Sequence, residues 1–89
     1  MPYQLLYTHR AKQDWKVLKK DGHLADEARC LLTVLERNPW ENPPPLKKLT
    51  GPLHGAVSRR LNRQHRLVYQ VLEEDKCVKV LSMWTHYGD

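Results

Sequence analysis

Several chemistries are missing from this chain before any are present. It has two cysteines, Cys30 and Cys77, far apart and in apolar surroundings, so no metal-ligand spacing can be drawn. Both read as buried free thiols rather than a disulfide. No carboxylate cluster and no His/Cys pattern is present to hold a metal, and no cofactor motif is found. A Walker loop, a dinucleotide fingerprint and a serine-centred nucleophile elbow are all lacking. No apolar run reaches the length that spans a bilayer. The opening Met1-Pro2-Tyr3-Gln4-Leu5-Leu6-Tyr7 is too short for a secretory core and has no basic start. Internal repeats and low-complexity tails are absent. The expectation is a cytoplasmic protein that does not enter a membrane.

Acidic residues are the scarcer charge. Fifteen Lys and Arg stand against ten Asp and Glu, a net charge of +5 over 89 residues. A positive domain of this size expects a polyanionic or acidic partner. Hydrophobic residues make up 40% and charged residues 28%, the balance of a globular chain. We read residues 1–89 as a single domain with one modest core.

Taken in order, Tyr3–Tyr7 reads as a strand and Thr8 as the cap of a first helix. Ala11, Trp15 and Leu18 fall at helical spacing. Gly22 is expected to end that helix in a left-handed conformation. The second helix carries Leu24, Ala28, Leu31, Leu32 and Leu35 as an apolar stripe and stops at Arg37-Asn38-Pro39. Trp40–Pro45 reads as a stiff, extended, polyproline-like spacer that delivers Leu46-Lys47-Lys48-Leu49. Strands follow at Ala56–Leu61, Arg66–Leu72 and Cys77–Trp84, with turns at Asn62–His65 and Glu73–Lys76. The class is α+β, ordered β-α-α-β-β-β: a helical hairpin packed on a twisted antiparallel sheet. Trp15, Leu31, Leu35, Val68, Val71 and Val80 are expected in the core.

The chemistry concentrates in Ser58-Arg59-Arg60-Leu61-Asn62-Arg63-Gln64-His65-Arg66-Leu67-Val68-Tyr69, which holds four arginines and a histidine. Arginine stays charged and is costly to bury unpaired, so these residues suggest an anion-binding wall. Lys47, Lys48, Arg59, Arg60, Arg63 and His65 are the candidate RNA contacts. Arg59 and Arg60 are strand neighbours, so only one of them can line a given surface. Arg66 can fork two hydrogen bonds to a phosphate; its bland alternative is a salt bridge to Glu41, Glu73 or Glu74. His86 suits proton transfer near neutral pH and Tyr87 can stack on a base. Together these groups fit RNA cleavage by its own 2′-hydroxyl, which needs proton transfer and cations but no metal.

These residues resemble the YoeB branch of the RelE-type toxins of bacterial toxin–antitoxin pairs. Pro-Leu-Lys at 45–47, the Ser-Arg-Arg…His-Arg-Leu-Val-Tyr block and the terminal His86-Tyr87 carry the resemblance. It implies a microbial-ribonuclease-like fold and metal-independent cleavage of messenger RNA in the ribosomal A site. It also implies neutralisation by a cognate antitoxin, with a homodimer or a toxin–antitoxin hetero-oligomer as the assemblies to expect. Arg66 is then the phosphate-stabilising arginine. His86 is the catalytic histidine, acting as general acid with Tyr87 beside it, and Lys47 with one of Arg59 and Arg60 supports RNA binding. One position departs. The family's YoeB members carry a catalytic glutamate two residues before the leucine of Pro-Leu-Lys, where this chain has Pro44. Glu41 is the candidate replacement base. His86 acting as base, with Arg66 and a lysine carrying the charge, is an alternative. A module that binds RNA, the ribosome or an antitoxin without cutting is another.

Overall fold

The computed structural model describes residues 2–43, 45–49 and 55–84. Its elements run β1 (Gln4–Tyr7), α1 (His9–Leu18), α2 (Gly22–Arg37), β2 (Lys47–Lys48), β3 (Ala56–Arg60), β4 (Arg66–Leu72) and β5 (Cys77–Ser82), with a short 3₁₀ turn at Glu73–Asp75. The strands form one sheet in the order β1-β5-β4-β3-β2. The α+β class and the helical hairpin on a sheet are as expected. Two details differ. Lys47–Lys48 adds a short strand antiparallel to β3, and β1 pairs with β5 in parallel, so the sheet is mixed.

Both helices begin where a side chain replaces a missing backbone partner. Thr8 Oγ1 accepts from the Ala11 N–H (3.0 Å) and Asp21 Oδ1 from the Leu24 N–H (3.1 Å). Gly22 therefore opens α2 instead of closing α1 in a left-handed turn. That geometry belongs to Gly55, at φ 93°, and to Lys76, at φ 52°. Asn38 ends α2 by donating its N–H to the Val34 carbonyl (2.7 Å), and Pro39 follows.

One sheet face carries the core. Strand alternation turns Val57, Leu67, Tyr69, Val78 and Val80 toward Ala11, Leu18, Leu24, Ala28, Leu31 and Leu35 of the helices. Burying one such leucine or valine contributes about 1.5–3 kcal/mol. Trp15 and Val71, expected in the core, are only half-buried against it. Cys77 is buried, but Cys30 lies on the exposed side of α2, which corrects its reading as a buried thiol. Among the described residues no helix is long and apolar enough to cross a membrane.

The connector after α2 is not the extended spacer expected. Trp40 turns back, its N–H bonded to Asn38 Oδ1 (3.0 Å), and the Asn42–Pro43 peptide bond is cis. The carbonyls of Pro39 and Glu41 point inward, to Arg59. Pro44, the position at which the family's glutamate is missing, lies outside the described residues.

Candidate active site

Pairing register decides which cations meet. Arg60 on β3 stands directly opposite Arg66 on β4, and Lys47 on β2 stands opposite Ser58. Ser58 and Arg60 are two apart on one strand, so all four side chains leave the same face. That is the face turned away from the helices. Lys47, Arg60 and Arg66, with Pro45 and Leu46, line a cavity of about 410 Å³.

Arg66 is the positioned member. Its Nε–H donates to Ser58 Oγ, and Ser58 is buried. This bond fixes the guanidinium plane and leaves the four terminal N–H groups for another acceptor. Partial burial first, and neighbouring Arg60 second, pull the Arg66 pKa below the ordinary guanidinium value. Arg66 stays charged all the same. Like charges placed directly opposite on adjacent strands are destabilising. Among the described residues neither arginine nor Lys47 is paired to an acid, so the bridges to Glu41, Glu73 or Glu74 considered for Arg66 are not formed. A cavity walled by three cations in this way is complementary to an anion.

The remaining candidates divide sharply. Arg59 faces the other way and is 0% exposed. Its Nε–H donates to Tyr69 Oη (3.0 Å), and its Nη2 to the carbonyls of Pro39 (3.0 Å) and Glu41 (2.7 Å). Tyr69 in turn donates to the Pro39 carbonyl (2.7 Å). Arg59 is thus a strut between sheet and connector, which corrects its place among the RNA contacts. The strand rule held: one arginine of the pair lines the cavity, and it is Arg60. Lys48 alternates away from Lys47, with its ammonium 5.7 Å from the Trp40 ring centroid. Arg63 is exposed at the tip of the β3–β4 turn, which Asn62 Oδ1 closes by accepting from the Gln64 and His65 N–H groups.

His65 is buried rather than displayed. Its ring stacks on Trp84 (centroids 3.8 Å apart, planes at 17°), and its Nδ1 meets the Trp84 carbonyl. It holds the end of β5 instead of a ligand, which corrects the second RNA contact. Two further side chains grip the same stretch. Thr8 Oγ1 donates to the Leu81 carbonyl (2.8 Å), and Asp14 Oδ2 accepts from the Met83 N–H (3.0 Å). The chain is therefore fixed as far as Trp84. His86 and Tyr87 lie outside the described residues.

Glu41, the candidate base, is held elsewhere. Its carboxylate takes two bonds from Arg37 (3.0 and 2.8 Å), which lower its pKa. A carboxylate so paired is a weaker proton acceptor. The residue that sequence reasoning left without a role is Ser58. Its signal was present: it lies two positions before Arg60, on the same strand face.

A small α+β domain with a cationic cavity on the sheet face turned away from its helices is the class these features define. Comparison with known proteins narrows it. The family model for "YoeB-like toxin of bacterial type II toxin-antitoxin system" matches residues 7–87, so the chain belongs to that family, within the RelE superfamily. It is 33% identical over 72 residues to Toxin YoeB of a Synechocystis species, covering 78% of each chain. The fold matches a YoeB/ParE toxin from Agrobacterium tumefaciens with a TM-score of 0.87 at 25% identity, over 94% of this chain and 99% of that one. It also matches a chain in the heterotetrameric YoeB–YefM toxin–antitoxin complex from Staphylococcus aureus with a TM-score of 0.81 at 31% identity, over 98% of this chain and 100% of that one.

Proposed function

We propose that this toxin, a single domain over residues 1–89, is a ribosome-dependent endoribonuclease that cuts messenger RNA in the A site. The observation that carries the reading is the cavity in which Lys47, Arg60 and the Ser58-oriented Arg66 converge. A phosphate of the message sits there, with Arg66 forking two terminal N–H groups onto its oxygens. The RNA 2′-oxygen loses its proton and attacks the neighbouring phosphorus. The P–O5′ bond breaks, and the leaving oxygen takes a proton. The products are a 2′,3′-cyclic phosphate and a 5′-hydroxyl end. Arg66, Arg60 and Lys47 stabilise the charge that gathers on the phosphorane. The Arg37 pair disfavours Glu41 as base, so His86 is the group that moves the proton, with Tyr87 stacked on a base. The partner that silences the chain is a cognate antitoxin. A homodimer or a toxin–antitoxin hetero-oligomer is the working assembly, as in the S. aureus relatives described as a dimer and as a complex with YefM.

A second reading is a grip on the ribosome without cleavage. It is favoured by the lining of the cavity, which includes no carboxylate among the described residues, and by Pro44 at the family's glutamate position. A primer-extension map of a reporter message after brief induction separates the two. New 5′ ends inside A-site codons, lost in Arg66→Ala and His86→Ala, are the expected result. Growth arrest with intact message establishes the second reading, and neither arrest nor cuts overturns both.

A further inference from the structure

We infer that the cationic cavity prefers a phosphomonoester dianion to a phosphodiester, so that terminal phosphates compete for the site and hold the toxin back. The inference rests on the reading that a phosphate enters this cavity, and adds how the site is regulated. An imbalance of charge is the starting point. Lys47, Arg60 and Arg66 line a space of about 410 Å³ to which no described residue brings an acid. A phosphodiester of the message carries one negative charge into these three positive ones. A phosphomonoester carries close to two at neutral pH. Its second charge is met by a cation already in place, with no further group to order.

Strand register maintains that excess. Arg60 stands directly opposite Arg66, an arrangement unfavourable by itself and relieved by an anion between the two. Arg66 is not free to swing away, because the buried Ser58 hydroxyl accepts its Nε–H. The terminal N–H groups remain as a fork for two oxygens, and a phosphomonoester end has three. Cleavage itself passes through the same charge, when the diester becomes a dianionic phosphorane. A site matched to that state holds a stable dianion better than it holds its own substrate. Pro45 and Leu46 add an apolar wall, and the volume falls in the range of small-ligand sites. A single nucleotide therefore fits with its phosphate among the cations. Two sources provide such a ligand: the end of a cut message whose cyclic phosphate water has opened, and a free nucleotide or orthophosphate.

The test is calorimetric titration of the full chain, at constant ionic strength, with RNA dinucleotides methylated at the internal 2′-oxygen so that they cannot be cut. Three ends are compared, 3′-monophosphate, 2′,3′-cyclic phosphate and 5′-monophosphate, with orthophosphate alone beside them. At about pH 7.5 the 3′-monophosphate is expected to bind about tenfold tighter than the cyclic diester. At about pH 5 the monoester has regained most of its second proton, so the advantage should shrink to about twofold. The described charged groups facing the ligand are Lys47 from β2, Arg60 from β3 and Arg66 from β4. None is a carboxylate or a histidine, so the ligand carries the titration. Arg60→Met should cut the preference to about threefold or less without lowering the melting midpoint. Lys20→Met, at an exposed position in the turn between the helices, should leave it intact. In a ribosome cleavage assay the added monoester should slow cutting, and the cyclic end much less. A 3′ end held more tightly than the 5′ end and orthophosphate makes the regulator a cut message; equal affinities make it the free phosphate pool, and both support the proposal. Equal affinity for monoester and cyclic ends, no binding of either, a preference that persists in acid or in Arg60→Met, or cutting that ignores the monoester each overturns it. A-site cuts mapped by primer extension in the absence of any preference leave the cleavage reading standing and remove this one alone.

Discussion

Arg59 and Arg60 are adjacent and identical, yet their removal should do opposite things. In Arg59→Met a side chain of similar length but no donors enters a fully buried position. Three acceptors lose a charged donor: Tyr69 Oη, the Pro39 carbonyl and the Glu41 carbonyl. The Pro39 carbonyl keeps the Tyr69 hydroxyl. The part-buried Glu41 carbonyl loses its 2.7 Å bond; a fully buried acceptor left unsatisfied costs about 1–3 kcal/mol, and this one belongs at the lower end. Bonds to a charged donor contribute about 1.5–3 kcal/mol each, but the guanidinium no longer has to leave water, which offsets part of that loss. The net is about 2–4 kcal/mol, a large share of the stability of so small a domain. At roughly 4–8 °C per kcal/mol, the melting midpoint should fall by about 10 °C or more. Arg60→Met removes an exposed charge facing Arg66, so stability should stay within about 0.5 kcal/mol or rise slightly. Circular-dichroism melts and urea titrations of both variants decide the matter. Midpoints within about 2 °C of each other would refute the assignment of Arg59 to the fold.

Three other outcomes follow from the same contacts. Arg66→Ala should keep its fold, because the side chain is half-exposed and bonded to the Ser58 hydroxyl, while losing message cleavage by primer extension. Leu35→Ala, at a fully buried position, should cost about 2–5 kcal/mol in urea unfolding, and an unchanged midpoint would place α2 the wrong way round. The Glu73 pKa is lowered by hydrogen bonds from Tyr3 and Trp40. Its contribution is therefore present above the unfolded value near 4.5 and lost as pH falls through the folded one. Melting curves of wild type and Glu73→Ala should differ at neutral pH and converge in acid; a gap that widens in acid would contradict the sign.

Local signals in the sequence located most elements. The Thr8 cap, the leucine stripe of α2, the Asn-Pro stop and the Asn62–His65 turn each act through neighbours a few residues away, and the structure follows them. Gly22 was misread because a glycine after a helix and a glycine opening the next look alike in a row of letters; the Asp21 cap decides between them. The site was legible as a cluster of cations but not as an arrangement. Alternation says that Arg59 and Arg60 part ways, and only the third dimension says which one the connector covers. His65 misled for a related reason. Its partner Trp84 is 19 residues away, and no local pattern announces a stacking pair at that distance. Cys30 falls on an outward position of α2, beside the apolar stripe in sequence but not in space.

The parallel pairing of β1 with β5 has a consequence for how the toxin comes into being. Gln4 to Tyr7 find their partners at Cys77 to Val80. β1 therefore waits for β5, about seventy residues later in the sequence, before this ladder can form. Long-range pairing of this kind is slow to close, because the loop entropy is lost before the contact is gained. A half-made toxin has neither a finished sheet nor the backbone groups of Leu81, Met83 and Trp84 that Thr8, Asp14 and His65 hold at the end of β5. The topology thus makes closure of this sheet edge a late step in folding: no stretch of chain that stops short of Val80 can supply the whole β1–β5 ladder.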